Sequence, residues 1–227
     1  MQKNMECILA INIEDEVIDR NWDALKLKSS TDRRKRIERC NIYMDQKRTL
    51  CGELLIQYYL RKYQHQNIEL KYQYNEFGKP YIQGVDICFN ISHAGSWVLC
   101  GFSRKDIGID IEKIQNASVG LIKKCFNGKE AAYILTGEAQ EQANRFTEMW
   151  TRKESYVKYR GVGLGYGLKS FEIEPFSGNI LDEKIQKKVY LHSMKFENDY
   201  YVAKCCEDES ELEVKIINIS DILKTVL

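Results

Sequence analysis

Histidine is scarce. Only His65, His93 and His192 occur in 227 residues, and none stands at a metal-ligand spacing from another. Eight cysteines are present but no C-x-x-C, so a zinc site has no motif to rest on. Net charge is nearly absent too: the formal value is +1, which leaves no global field that would demand nucleic acid. No apolar run approaches the length of a bilayer, and Met1-Gln2-Lys3-Asn4 leads into no signal peptide. The glycine-rich stretch Gly161 to Leu168 is not followed by G-K-[ST], so it is not a Walker loop. No low-complexity linker divides the chain. These absences predict a cytoplasmic protein with neither nucleic acid nor membrane as partner.

What is present suits a soluble globular chain. Hydrophobic residues make up 44% and charged residues 30%, and the length fits one large domain or two small ones. Several cysteines lie in apolar, strand-like runs such as Ile87-Cys88-Phe89 and Leu99-Cys100. They read as reduced, buried thiols. Strand alternation predicts that one of the vicinal pair Cys205-Cys206 faces outward.

Periodicity places the elements. Cys7 to Ile13 predicts a buried strand, and Ser30-Thr31-Asp32 a helix start with Arg33-Arg34-Lys35-Arg36 in its first turns. Basic residues there oppose the helix dipole, which favours anions. Arg33 and Arg36, at i and i+3, share a face, which is either a solvated charged surface or a phosphate-binding one. Asp45 is placed to cap a second helix reaching Tyr63, with Arg48 and Thr49 in its first turn. Ile68 to Tyr74 alternates as a strand. A turn around Gly78 and Pro80 then exposes Lys79. Strands at Val85–Ser92 and Trp97–Phe102 flank His93-Ala94-Gly95-Ser96. A long helix from Glu138 to Arg160 ends at Gly161, a suitable C′ glycine. Phe146, Trp150 and Val157 form its apolar stripe, which Lys153 interrupts. Glu154 and Lys158, four apart, read on spacing alone as a surface pair.

Chemistry concentrates at Ile107 to Glu112. Ile107, Ile109 and Ile111 alternate with Gly108, Asp110 and Glu112, so a strand sends the isoleucines to one face and both carboxylates to the other. Two carboxylates so close repel unless a cation or proton sits between them. With Glu154 they offer three hard oxygen donors, a set that selects Mg²⁺ over zinc or copper. D-x-E on a strand is nevertheless a common pattern.

Three motifs in order carry a resemblance. They are Gly78-Lys79-Pro80 with Phe89-Asn90-Ile91-Ser92-His93, then Gly108-Ile109-Asp110-Ile111-Glu112, then Trp150-Thr151-Arg152-Lys153-Glu154-Ser155-Tyr156-Val157-Lys158. Over about residues 5 to 205 the chain resembles a 4′-phosphopantetheinyl transferase of the Sfp type. The resemblance implies an α+β fold of two pseudo-symmetric α/β lobes, divided here as 1–105 and 106–227, with coenzyme A at their junction. It implies transfer of phosphopantetheine from coenzyme A to a serine of an apo acyl or peptidyl carrier protein, by a monomer. It further implies metal ligands at Asp110, Glu112 and Glu154, and catalytic roles for Glu130, Glu154 and Lys158. Coenzyme A contacts are implied at Arg33, Arg36, Arg48, Thr49, Lys79, Ser92, His93 and Lys158. Arginine at 33 and 36 replaces the lysine frequent in relatives and keeps phosphate recognition. A coenzyme A-binding scaffold without catalysis is a rival class, opposed by the presence of all three acids and Lys158. A magnesium phosphodiesterase on another fold is a second rival, and it would need neither the Ser92-His93 strand end nor the Gly161 to Leu168 loop.

Overall fold

A computed structural model describes residues 6–184 and 187–227, so the expectation for Met1 to Asn4 lies outside the described residues. The chain runs β1 (Cys7–Asn12), α1 (Glu16–Arg20), α2 (Trp22–Lys28), α3 (Thr31–Arg39), α4 (Tyr43–Tyr63), β2 (Tyr72–Tyr74), β3 (Pro80–Ile82), β4 (Cys88–Ala94), β5 (Trp97–Ser103) and β6 (Ile107–Lys113). It continues with α5 (Val119–Cys125), α6 (Gly128–Ile134), α7 (Ala139–Arg160), β7 (Glu172–Ile173), β8 (Ile180–Leu181), β9 (Tyr190–Phe196), β10 (Tyr200–Cys206), β11 (Val214–Ile216) and α8 (Ile219–Val226). The fold is mixed α+β. Among the described residues no helix is long and apolar enough to cross a membrane.

Two sheets organise the molecule, each backed by one long helix. The first has the order β11-β1-β5-β4, with β11 parallel to β1 and the rest antiparallel. Leu50, Leu54 and Tyr58 of α4 pack on its outer face with Leu9, Val98 and Phe102. The second sheet, β6-β10-β9, is wholly antiparallel and carries α7 on its outer face. Between the sheets, Ile8, Ala10 and Leu99 meet Ile107, Ile109, Ile111 and Val202. The isoleucine face of β6 is therefore the face that joins the halves.

That layering overturns one expectation. Cys205 and Cys206 are both buried, because β10 is covered by α7 on one side and by the first sheet on the other. Simple alternation assumes one wet face. All eight cysteines are free thiols. The chain's C-terminal stretch also crosses back. β11 pairs with β1, and Ile219, Ile222 and Val226 of α8 pack in the α4 core. Residues 214–226 thus pack with the first sheet and α4.

Local signals account for most boundaries. Ser30 caps α3 by accepting from the Arg33 N–H, and Gly161 ends α7 at φ 63°. Helix α4 begins at Tyr43, with Ile42 as its cap residue, so Asp45 lies inside the first turn rather than before it. The predicted strand from Ile68 shrinks to Tyr72–Tyr74, which pairs with β3.

Candidate active site

The carboxylate face of β6 is turned towards α7, and Gly108 sets how close the two come. A Cβ at 108 would stand 2.0 Å from the Ser155 carbonyl oxygen and 2.2 Å from the Tyr159 amide nitrogen. Only glycine lets the helix backbone rest on the strand at that point. The opposite edge of β6 is met by β4 through side chains. Asn90 Oδ1 accepts from the Ile109 N–H at 2.9 Å, and Ser92 Oγ accepts from the Ile111 N–H at 3.3 Å.

Asp110 is buried at the centre. Its Oδ1 accepts from Ser92 Oγ at 2.8 Å and from Lys158 Nζ at 2.5 Å. Lys158 also reaches Ser92 Oγ at 2.9 Å. The ion pair read from helical spacing as Glu154–Lys158 is therefore Asp110–Lys158, across two elements. Asp110 Oδ2 is buried and has no hydrogen-bond partner among the described residues. Burial and then repulsion from Asp110 and Glu154 push the Glu112 carboxyl up to about 7, against the pull of Lys158 and a hydrogen bond from Trp150. Burial, then Asp110, likewise raises Glu154, with Lys158 opposing. Three carboxylates thus crowd one another with a single ammonium between them.

Among the described residues no three His, Cys, Asp or Glu side chains already have the close spacing of a preformed metal centre. The donor set nonetheless fits a hard divalent cation. It is all oxygen, it is mutually repelling, and it includes one buried oxygen without a hydrogen-bond partner among the described residues. Leaving such a group unsatisfied costs about 1–3 kcal/mol or more.

Two adjoining cavities open beside the acids. One, of about 290 Å³, is lined by Lys79, Glu154, Lys158 and Gly161 among others. The other, of about 220 Å³, is lined by Arg33, Arg36, Arg48, Thr49 and His93. Gly78, Pro80 and Asn90 line both, so the basic residues share one cleft with Glu154 and Lys158, while Asp110 and Glu112 line neither cavity and Asp110 is reached through Lys158. Larger hollows of about 630 and 530 Å³ lie along residues 127–184 and hold none of the sequence-selected residues.

Arg33 is buried, with Nε 3.4 Å from Glu53 Oε2 and its guanidinium 4.8 Å from the Tyr72 ring centre. Its neighbour Arg34 turns away to the Leu27 and Ser29 carbonyls. Arg48 is fixed by Asp45 at 2.6 Å and the Gly95 carbonyl at 2.7 Å, while its buried Nε is unpartnered among the described residues. Partial desolvation, then the charges of Arg48 and Lys158, hold His93 below its ordinary range. Lys79 Nζ donates to the Ile107 and Tyr159 carbonyls at 3.2 and 3.3 Å, and burial lowers its pKa. Ser92, expected against coenzyme A, spends its hydroxyl on Asp110 and Lys158.

Glu130, expected to be catalytic, lies apart from both cavities. It is fully buried, lines neither cavity, and accepts from Lys153 Nζ (2.8 Å) and from the Asn127 and Ile173 N–H groups (2.8 and 2.7 Å). Lys153, Gly108 and Asn90 are the residues that sequence reasoning passed over. The interrupted α7 stripe was the visible signal for Lys153. Gly108 and Asn90 sit inside motifs but gave no sign of their individual tasks.

The site thus sets a buried acid cluster beside a cleft walled by arginine, lysine and histidine, in a mixed α+β protein. Comparison with known proteins narrows the class. Residues 17–103 match the family described as 4′-phosphopantetheinyl transferase, N-terminal, and residues 106–206 match the 4′-phosphopantetheinyl transferase superfamily. The 4′-phosphopantetheinyl transferase gsp of Aneurinibacillus migulanus is 32% identical over 182 residues, covering 80% of this chain and 76% of its own. The 4′-phosphopantetheinyl transferase Sfp of Bacillus subtilis is 37% identical over 146 residues, 63% of this chain and 65% of that one. The ffp protein of Bacillus subtilis is 32% identical over 73% of this chain and 75% of its own. The chain belongs to the 4′-phosphopantetheinyl transferase superfamily.

Proposed function

We propose that the protein transfers 4′-phosphopantetheine from coenzyme A to a serine of an apo acyl or peptidyl carrier protein and releases adenosine 3′,5′-bisphosphate. One observation carries this reading: Glu154 and Lys158, the latter ion-paired to Asp110, line a cavity that shares Gly78, Pro80 and Asn90 with the cavity lined by Arg33, Arg36, Arg48 and Thr49. A coenzyme bearing a 3′-phosphate and a diphosphate needs cationic side chains at one end and charge neutralisation at the reacting end. Two pseudo-symmetric lobes with coenzyme A between them are supported by the two sheet-plus-helix halves, which meet at β4 and β6 beside both cavities.

In the reaction a new bond forms between the serine oxygen and the β-phosphorus. The bond from that phosphorus to the bridging oxygen breaks, and adenosine 3′,5′-bisphosphate leaves with the electron pair. Asp110, Glu112 and Glu154 are the side chains that would hold Mg²⁺, which when bound neutralises diphosphate oxygens. Arg33, Arg36 and Arg48 fix the 3′-phosphate, and Lys79 lies along the diphosphate end. Lys158 supplies a positive charge to the departing phosphate. The serine proton passes to a carboxylate of the cluster, since Glu130 is held on backbone amides away from the cleft.

The test is to mix protein, Mg²⁺, coenzyme A and an apo carrier domain and weigh the intact carrier. A gain of one phosphopantetheine group is expected. A carrier of unchanged mass overturns the proposal.

A further inference from the structure

The Lys158 ammonium is bound to Asp110 and acts electrostatically on Glu112 and Glu154 as well. With Asp110 Oδ1 at 2.5 Å and Ser92 Oγ at 2.9 Å, and those two oxygens 2.8 Å apart, the three groups close a triangle. The Asp110 side chain is 4% exposed and that of Lys158 28%, so the carboxylate lies beneath and the lysine forms its lid towards the cleft. The other carboxylate oxygen, Oδ2, has no partner among the described residues. Lysine is a compact point charge on a four-carbon stem, free to swing once its acceptor is taken.

We propose that Lys158 is an exchangeable counter-ion. In the substrate-free protein it holds the place at Asp110 that a divalent cation takes in the loaded one. It moves to the diphosphate of incoming coenzyme A as the cation arrives. This rests on the transferase reading given above. A divalent ion taking the free Oδ2 while the ammonium stays on Oδ1 is repelled by it, so an ion binding alone either bears that repulsion or displaces a charge-assisted hydrogen bond with no new partner for the ammonium. An anionic diphosphate supplies that partner. Cation and coenzyme therefore strengthen each other's binding, and by linkage the effect is reciprocal. Glu154, one helical turn before Lys158, lines the same cavity and stays available to the cation throughout.

Lys79 provides an internal control. It lines the same cavity with the same charge, but its Nζ rests on the Ile107 and Tyr159 carbonyls and lies 3.7 Å from Asp106, not on Asp110. Mg²⁺ affinity is measured by titration calorimetry, with and without coenzyme A, in the unaltered protein, Lys158→Met and Lys79→Met. Without coenzyme A, Lys158→Met binds Mg²⁺ about tenfold tighter than the unaltered protein, while Lys79→Met stays within about twofold. Binding detectable only in Lys158→Met counts as the same result. Coenzyme A raises Mg²⁺ affinity more in the unaltered protein than in Lys158→Met. Unchanged or weaker binding in Lys158→Met, no detectable binding in any of the three without coenzyme A, or equal tightening in Lys79→Met overturns the exchange. The carrier mass measurement is a separate readout. Its failure would remove the transferase reading, while the Mg²⁺ affinities would still decide whether Lys158 guards Asp110.

Discussion

Lys153 and Glu130 form an ion pair in the dry interior, Nζ to Oε1 2.8 Å, with both side chains 0% exposed. The ammonium also donates to the Leu168 and Phe171 carbonyls at 2.7 and 3.0 Å, which uses all three of its donors. Glu130 accepts from two backbone N–H groups in addition. The pair thus pins α7 to the segment after it and to the start of α6. Because Lys153 precedes Glu154, it fixes the rotation of the helix that presents the acid. Lys153→Met strands a buried carboxylate and is expected to cost about 3–5 kcal/mol. Lys153→Met combined with Glu130→Gln should recover much of that loss, because no uncompensated charge remains. Urea unfolding of the two variants checks both expectations.

Gly108→Ala is expected to be more damaging than a methyl group suggests. The added carbon would meet the backbone of α7, at Ser155 and Tyr159, and not the end of a movable side chain. Overpacking typically costs about 1–3 kcal/mol and more where backbone must move. Whatever folds should have Glu154 pushed away from Asp110, so Mg²⁺ affinity falls alongside stability. Stability within about 0.5 kcal/mol of the unaltered protein would mean the strand and helix separate freely.

Much of this was legible in the sequence because it depends on period and spacing. The alternation of Ile107, Ile109 and Ile111 with Asp110 and Glu112 gave the strand and its two faces, and Gly161 gave the end of α7. What was not legible depends on which layers cover which element. Cys205 and Cys206 read as a half-exposed strand because nothing local records that β10 lies between a sheet and a helix. Glu154 and Lys158 read as partners because i, i+4 spacing is local, whereas the Asp110–Lys158 bond joins residues 48 positions apart. Glu130 carried the right residue type in a matching position, but only the fold shows its lone pairs already committed.

Asp110→Asn tests the division of labour in the cleft. The amide cannot supply the anionic oxygen that a hard cation needs, and turnover should fall by about a hundredfold or more. Coenzyme A affinity should stay within a few-fold, because Arg33, Arg36 and Arg48 remain and Lys158 is released to the diphosphate. Binding titrations beside turnover separate the two. Equal loss of both would make Asp110 a structural residue.

The metal-free protein should become less stable as pH rises through the weakly acidic range. Glu112 has its pKa raised from 4.5 to about 7 by burial and then by Asp110, and Glu154 is raised by the same two causes. Between 4.5 and about 7 the folded protein therefore holds protons that the unfolded chain has released. Stability contributed by the protonated carboxyl is fully present below 4.5 and is lost as pH climbs to about 7, after which the curve flattens. Lowered histidines such as His93 act in the opposite direction, since they gain protons more readily when unfolded. The informative quantity is thus the difference between the unaltered protein and Glu112→Gln, which has no carboxyl to titrate. Melting temperatures in a chelator at pH 5 and pH 8 should show Glu112→Gln gaining on the unaltered protein as pH rises. Added Mg²⁺ should erase that gain, because a cation among Asp110, Glu112 and Glu154 removes the repulsion that raises the pKa. A difference that is flat with pH would place Glu112 outside the crowded cluster.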